Sequence, residues 1–423
     1  MTLTRREFIK WLSATAGVTA VAGCATPGTG GGARVVVIGG GYGGATAARH
    51  IKLWAPDIDV TVVERNTEFV SCPISNLVLG GNTDIGTITM GYEGLRKRGV
   101  RVVRDEAVAV DPANRQVRLK SGATLGYDRL IVSPGIDFGY EQIPALNTPE
   151  AQAKILHAWK AGAQTVALRK QLEAMRDGGV YAIQIPKSPY RCPPGPYERA
   201  CQVAFYFKAR KPKSKVLILD ANEDVQSKKG LFMAAWNGPY KGIVEYRPNM
   251  ELQDVDVKTN TAIFIGDKVR AEVLNVVPAQ TAGEVAHRAG LANVNKRWCG
   301  VDWLTMESVA VKGVHVLGDA TLSAPAMPKS ASMANQHAKV CAAAVIALLK
   351  GQPVNQRPVM MNTCYSFVSD SSAMHVASVH QYDAAQKAVV PVKGAGGVSG
   401  KASELEAAYA WGWAKNIWGD ALG

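Results

Sequence analysis

Residues 33–44 read A-R-V-V-V-I-G-G-G-Y-G-G, followed by an alanine-rich run to about Trp54 and a second apolar run, Asp59–Val63, that ends at Glu64. An unbroken β-branched run is the pattern of a parallel strand covered on both faces. The G-x-G-x-x-G spacing at Gly39, Gly41 and Gly44 then turns strand into helix. The first glycine makes the tight turn, the second lets backbone approach a pyrophosphate, and the third lets helix pack on strand. The glycine spacing alone is a weak signal. Strand, loop, helix, strand and a terminal acid together predict a nucleotide-binding βαβ unit, with Glu64 on the ribose hydroxyls, and so an α/β fold.

Two later segments favour FAD over NAD in this unit. Tyr127–Gly135 reads Y-D-R-L-I-V-S-P-G, a strand ending in a small-residue turn, and residues 313–320 read G-V-H-V-L-G-D-A, a strand ending in Gly-Asp. Both resemble the second and third FAD contacts of the glutathione-reductase-like flavoproteins. That resemblance implies that Gly135 lies at the cofactor and that the Asp319 carboxylate bonds the ribitol chain. After it, M-P-K-S-A-S-M-A-N-Q-H-A opens a long helix to about Leu349. Its positive N-terminal end, helped by Lys329, would stabilise negative charge on a reduced flavin.

The middle of the chain repeats the α/β pattern without the glycines. Strand signals are V-Y-A-I-Q-I, then K-V-L-I-L-D-A at 215–221 and A-I-F-I-G near 262–266, with a helix-like run Arg199–Lys208 joining the first two. The loop after the first strand is P-K-S-P-Y-R-C-P-P-G-P. Prolines lack the N–H groups that hold a pyrophosphate, so this domain is expected to have no NAD(P)H site. With 423 residues, 47% of them hydrophobic and 20% charged, the chain has room for two or three domains. The expected organisation is a leader and glycine-rich tether at 1–32, an FAD-binding domain in two segments at 33–150 and 276–349, a second Rossmann-like domain at 151–275, and a C-terminal α+β interface domain at 350–423.

A net charge of +13 ordinarily suggests nucleic acid, but the N-terminus argues otherwise. Arg5 and Arg6 precede a short alanine-rich apolar run, the pattern of a twin-arginine export signal. The expected location is periplasmic, with no nucleic acid partner. The run ends V-A-G-C, which resembles a lipoprotein cleavage box, and membrane contact is expected only if Cys24 is lipidated. No C-x-x-C or His/Cys metal pattern occurs among the seven cysteines, so no metal site is expected. Cys341 and Cys201 lie in helical segments that read as packed, Cys299 in R-W-C-G has no motif around it, and Cys24 belongs to the leader, which leaves Cys72, Cys192 and Cys364.

Here the chain resembles a family in specific motifs: S-C-P-I-S-N-L-V-L-G-G around Cys72, H-A-W-K-A-G at 157–162, Y-R-C-P-P-G-P-Y-E-R-A around Cys192, N-V-V-P-A-Q-T-A-G at 275–283, and M-N-T-C-Y-S around Cys364. Together with the nucleotide fingerprint they resemble the flavoprotein subunit of flavocytochrome c sulfide dehydrogenase, from residue 33 to the end. The resemblance implies two Rossmann-like domains plus an interface domain, and FAD bound covalently by a thioether at Cys72. It implies a redox disulfide between Cys192 and Cys364, and Glu198 as the nearby acid/base. Sulfide would be the substrate, and a c-type cytochrome subunit or soluble cytochrome c the electron acceptor. The reading of the residues adds that Arg191 and the helix start near Tyr197 favour a Cys192 thiolate. Two alternatives stand beside this one: a sulfide:quinone oxidoreductase at a membrane surface, for which the tryptophans at 411, 413 and 418 would serve as interfacial residues, and an exported flavoprotein that only relays electrons.

Overall fold

The computed structural model describes residues 32–423. The arginine pair and Cys24 lie outside the described residues. Strand β1 (Arg34–Ile38), helix α1 (Tyr42–Trp54) and strand β2 (Asp59–Glu64) form the expected unit. They belong to a five-stranded sheet in the order Val314–Val316, Arg129–Val132, β1, β2, Arg101–Arg104, all parallel. The strand at 314–316 thus arrives from far along the chain. Four of the five β1 residues are buried, which is why the run carries no polar alternation. The glycines act as sterics demand. Gly39 has φ +96°, and a Cβ on Gly44 would lie 1.9 Å from the Gly39 carbonyl oxygen. Helix α2 (Ser75–Gly80) follows β2 and is buried throughout.

A second sheet is built from Val244–Arg247, β4 (Lys215–Asp220), β3 (Val180–Ile185) and Val273–Val276, again all parallel. Between β3 and β4 runs α3 (Gly195–Arg210), and α4 (Lys229–Asn237) follows β4. The strand signal near 262–266 is a strand, Thr261–Phe264, which pairs antiparallel with Asp254–Asp256 and Asp267–Arg270 in a separate sheet. The fourth strand of the parallel sheet is Val273–Val276. Every residue of Val273–Val276 is buried, whereas burial alternates along Thr261–Phe264. A strand inside a parallel sheet is covered on both faces; an alternating one has a wet face.

Helix α5 (Ala331–Leu349) returns to pack on α1 through small side chains, with Ala45, Ala48, Ala338, Cys341 and Ala342 in one core. Ser330 caps α5 by accepting from the Met333 N–H at 3.0 Å. The C-terminal segment is an antiparallel sheet of Val359–Phe367, Ala373–Asp383 and Ala388–Val398, closed by α6 (Glu404–Leu422). Trp418 donates to the Tyr42 hydroxyl at 3.0 Å, and Trp411 lies edge-on to Phe367, so these tryptophans pack against protein. Among the described residues no helix is long and apolar enough to cross a membrane.

The packing makes a prediction. Gly44→Ala must displace the Gly39 carbonyl, at a cost of about 1–3 kcal/mol for an overpacked site. The variant should melt lower than the parent and retain less flavin per chain, as read by thermal denaturation and the visible spectrum.

Candidate active site

The first sheet, the second sheet and the C-terminal segment surround one cavity of about 810 Å³. One side is the nucleotide unit. Gly39 and Gly41 line it, and nothing lies within 4 Å of where a Gly41 Cβ would stand. The first turn of α1 carries no side-chain cap, so its N–H groups face an open space suited to an anion. Glu64 lines the cavity at the end of β2 and accepts from the Gly40 N–H at 2.7 Å and from Asn66 at 2.8 Å. Gly135, with φ +67°, and Asp319 complete this side.

Asp319 is the clearest sign of a missing ligand. Its Oδ1 is buried and has no hydrogen-bond partner, and burial raises its pKa against the pull of Arg191 and Lys329. A buried carboxylate oxygen without a donor is costly, and the hydroxyls of a ribitol chain would supply donors. These residues fit FAD: an anion-sized gap at a helix N-terminus, an acid at a ribose position, and an orphaned acceptor farther along. Lys329 lines the cavity too. Its ammonium donates to the carbonyls of Asp319 and Thr321 and lies 3.8 Å from the Trp298 ring centroid. It therefore braces the Asp319 turn, while Ser330–Ser332 at the α5 N-terminus line the cavity.

The sulfurs lie on the other side. Cys72, Cys192 and Cys364 all line the cavity, as free thiols. Cys72 sits at the mouth of α2, and Arg191 donates to its Sγ at 3.1 Å. Cys192 is exposed to the cavity and held in a left-handed conformation, φ 55°. Its N–H donates to the Lys329 carbonyl at 2.7 Å and its own carbonyl accepts from Gly195 at 2.8 Å. The Pro193-Pro194 pair then leads directly into α3. Arg191 favours a Cys192 thiolate as expected, but weakly: its guanidinium turns to Cys72 and the Trp159 carbonyl. Burial pushes the Cys192 thiol well up, with Cys364 and Glu198 adding to the rise and Lys228 and Arg191 opposing it. Burial raises Cys364 as well, with Lys228 opposing it. Cys201, Cys299 and Cys341 are fully buried in three different cores.

Glu198 is buried on the first turn of α3. Asn76 donates to its Oε2 at 2.7 Å and the Phe367 N–H donates to its Oε1 at 2.8 Å. Burial raises its pKa, and both hydrogen bonds, with Lys228 and Arg199, oppose the rise. Three residues here were not singled out in the sequence. Asn76 also accepts from the buried Arg199 at 3.1 Å. Arg199 donates further to His157 and Asn275 at 2.9 Å each and to Ala158 at 2.6 Å. Lys228 donates to the Cys364 carbonyl at 2.9 Å and the Ser366 hydroxyl at 2.8 Å. Asn76 and Arg199 stand inside motifs already marked by their cysteines. Lys228, in the polar stretch S-K-K-G, carries no local signal.

Fold and site define a flavoprotein of the pyridine nucleotide-disulfide oxidoreductase class. The family description Pyridine nucleotide-disulphide oxidoreductase matches residues 33–174. Sulfide dehydrogenase (flavocytochrome c) flavoprotein chain, central, matches 165–278, and Flavocytochrome c sulphide dehydrogenase, flavin-binding, matches 356–422. A sulfide dehydrogenase (flavocytochrome c) flavoprotein chain of Chlorobaculum thiosulfatiphilum is 56% identical over 45 residues, 11% of this chain and 94% of that one. The mitochondrial sulfide:quinone oxidoreductase of mouse is 26% identical over 335 residues, 77% of this chain and 72% of that one. The structure of the sulfide:quinone oxidoreductase of Aquifex aeolicus superposes with a TM-score of 0.77 at 18% identity, covering 92% and 91% of the two chains, and so shares the fold. The chain belongs to the flavocytochrome c sulfide dehydrogenase flavoprotein family and is an FAD-binding oxidoreductase.

Arg199→Met should be strongly destabilising. It strands the Asn76 side-chain oxygen and the Ala158 carbonyl, each worth about 1–3 kcal/mol when buried unpaired, while His157 and Asn275 keep donors in Asn275 and Tyr181. Urea denaturation should show a loss of about 3 kcal/mol or more.

Proposed function

We propose that this chain is the catalytic flavoprotein of an exported sulfide dehydrogenase. It oxidises hydrosulfide at a Cys192–Cys364 disulfide and delivers electrons through FAD to a c-type cytochrome. The observation that carries the reading is that Cys192 and Cys364, remote in sequence, line one cavity with Cys72, Glu198 and the unpartnered Asp319. In the oxidised state the two sulfurs are bonded. Hydrosulfide attacks one sulfur, the S–S bond breaks, and the products are one persulfide and one thiolate. Glu198, whose proton affinity is raised by burial, takes the proton from the incoming sulfur. FAD, held by Gly39, Gly41, Gly44, Glu64, Gly135 and Asp319 and tethered through Cys72, supplies a two-electron acceptor that can pass electrons on singly. Zero-valent sulfur or polysulfide is the product. Pro189, Pro193, Pro194 and Pro196 surround the place where a second dinucleotide would need N–H donors, so NAD(P)H is no reductant here. Arg5 and Arg6 direct the folded, cofactor-loaded chain to the periplasm.

The test is sulfide-dependent reduction of cytochrome c by the purified holoprotein. Fast reduction by sulfide and none by NADH is expected. Reduction of a quinone but not of cytochrome c would move the chain to the quinone-linked reading, and no sulfide oxidation with either acceptor would leave it an electron relay. Cys364→Ser should keep the flavin spectrum and lose bleaching by sulfide, while Cys201→Ser keeps both. Peptide mapping without reductant should find Cys192 joined to Cys364.

Acid precipitation checks the tether. Yellow colour should stay in the pellet of the parent and pass to the supernatant for Cys72→Ala.

A further inference from the structure

Lys228 is a buried cation with no carboxylate within 4.0 Å among the described residues. Its backbone is left-handed, φ 55°, immediately before α4. The side chain ends on Val359–Phe367, where the ammonium grips the Cys364 carbonyl and the Ser366 hydroxyl. The charged or titratable groups that face it are Cys364, Glu198, Cys192 and Glu406, with Cys364 foremost. Lys228 does not line the flavin cavity. It lines a second one, of about 1130 Å³, and reaches Cys364, which lines the first, through the Cys364 carbonyl. An ammonium taken out of water is costly unless an anion compensates it. The two neutral oxygens do so only in part. A thiolate at Cys364, formed when the disulfide opens, would complete the set.

We propose that Lys228 is the electrostatic partner of a Cys364 thiolate, making Cys364 the leaving sulfur and Cys192 the sulfur that hydrosulfide attacks. The inference rests on the redox pair proposed above. The step balances: HS⁻ bonds to Cys192 Sγ, the Cys192–Cys364 bond breaks, and its electron pair leaves on Cys364, giving a Cys192 Sγ–SH persulfide, whose proton Glu198 then takes, and a Cys364 thiolate. The disulfide is reduced by two electrons and the incoming sulfur is oxidised by two. Leaving-group ability in thiol–disulfide exchange follows thiolate stability, and the attacked sulfur must be accessible. Cys192 is exposed to the cavity, while Cys364 is half-buried. Lys228 opposes the burial of Cys364 before any other group does, whereas at Cys192 the rise from Cys364 and Glu198 outranks it. Burial lowers the Lys228 pKa to about 8. The ammonium is therefore present below that pH and lost above it, and with it the support for the thiolate.

The experiment uses the holoprotein, reduced with dithiothreitol and freed of it, then alkylated with iodoacetamide and mapped by mass spectrometry. Lys228→Met should slow alkylation of Cys364 at pH 7 about tenfold, the equivalent of one pKa unit, and change Cys192 less. Lys228→Arg should restore most of the rate. Wild-type protein given one equivalent of sulfide and quenched by alkylation should carry the extra sulfur on Cys192. Unchanged Cys364 alkylation in Lys228→Met, or persulfide on Cys364, would overturn the proposal. The persulfide map needs no variant, so it decides the matter even if Lys228→Met does not fold. A chain with no Cys192–Cys364 bond by non-reducing mapping, but with Lys228-dependent Cys364 alkylation, would mean that the redox pair fails while the charge contact stands.

Discussion

The site depends on one buried junction. Glu198 accepts from Asn76 of the first nucleotide unit and from the Phe367 N–H of the C-terminal segment, while its own helix belongs to the second sheet. Asn76 in turn holds Arg199, which ties down the carbonyls of His157 and Ala158. A buried carboxylate and a buried guanidinium are each expensive alone. Here each has several partners, and those partners come from every part of the fold that lines the cavity. Positions of Cys72, Cys192 and Cys364 are therefore set by one network, because the strand of Cys364, the loop of Cys192 and the helix after Cys72 all meet at it.

Burial controls the chemistry as much as geometry does. A free thiol in such surroundings is held protonated, and both Cys192 and Cys364 are pushed that way. A disulfide carries no charge and meets no such penalty. That burial favours the proposed Cys192–Cys364 disulfide as the resting form, opened when a nucleophile arrives. The same burial leaves Asp319 Oδ1 unpartnered and raises Glu198. Asp319 Oδ1 is an unpartnered acceptor on the cavity wall, where the hydroxyls of a ribitol chain would supply donors.

The proline-rich loop shows how one element serves two ends. In a dinucleotide site the strand-to-helix turn must offer N–H groups and close backbone approach. After Val180–Ile185 the turn holds four prolines and presents a cysteine with φ 55°. The Cys192 N–H goes to the Lys329 carbonyl, so the loop is fastened to the start of α5. An element that elsewhere recognises a cofactor here positions a sulfur.

The sequence by itself determined the nucleotide unit, because Gly39, Gly41, Gly44 and Glu64 act within a few residues of one another and their sterics are local. It also marked Asp319, Gly135 and the three cavity cysteines through short motifs. It marked Thr261–Phe264 as a strand but not the sheet that it joins, since an apolar run does not reveal whether both faces or one will be covered. It placed Lys329 at the cavity, which Lys329 does line, without showing its grip on two carbonyls, and it gave Arg191 a pull on Cys192 that burial outweighs. Tertiary structure alone decided Lys228, Asn76 and Arg199. Their roles are contacts between segments far apart in the chain, and the burial that shifts a pKa or makes a lone ammonium significant exists only after those segments have packed.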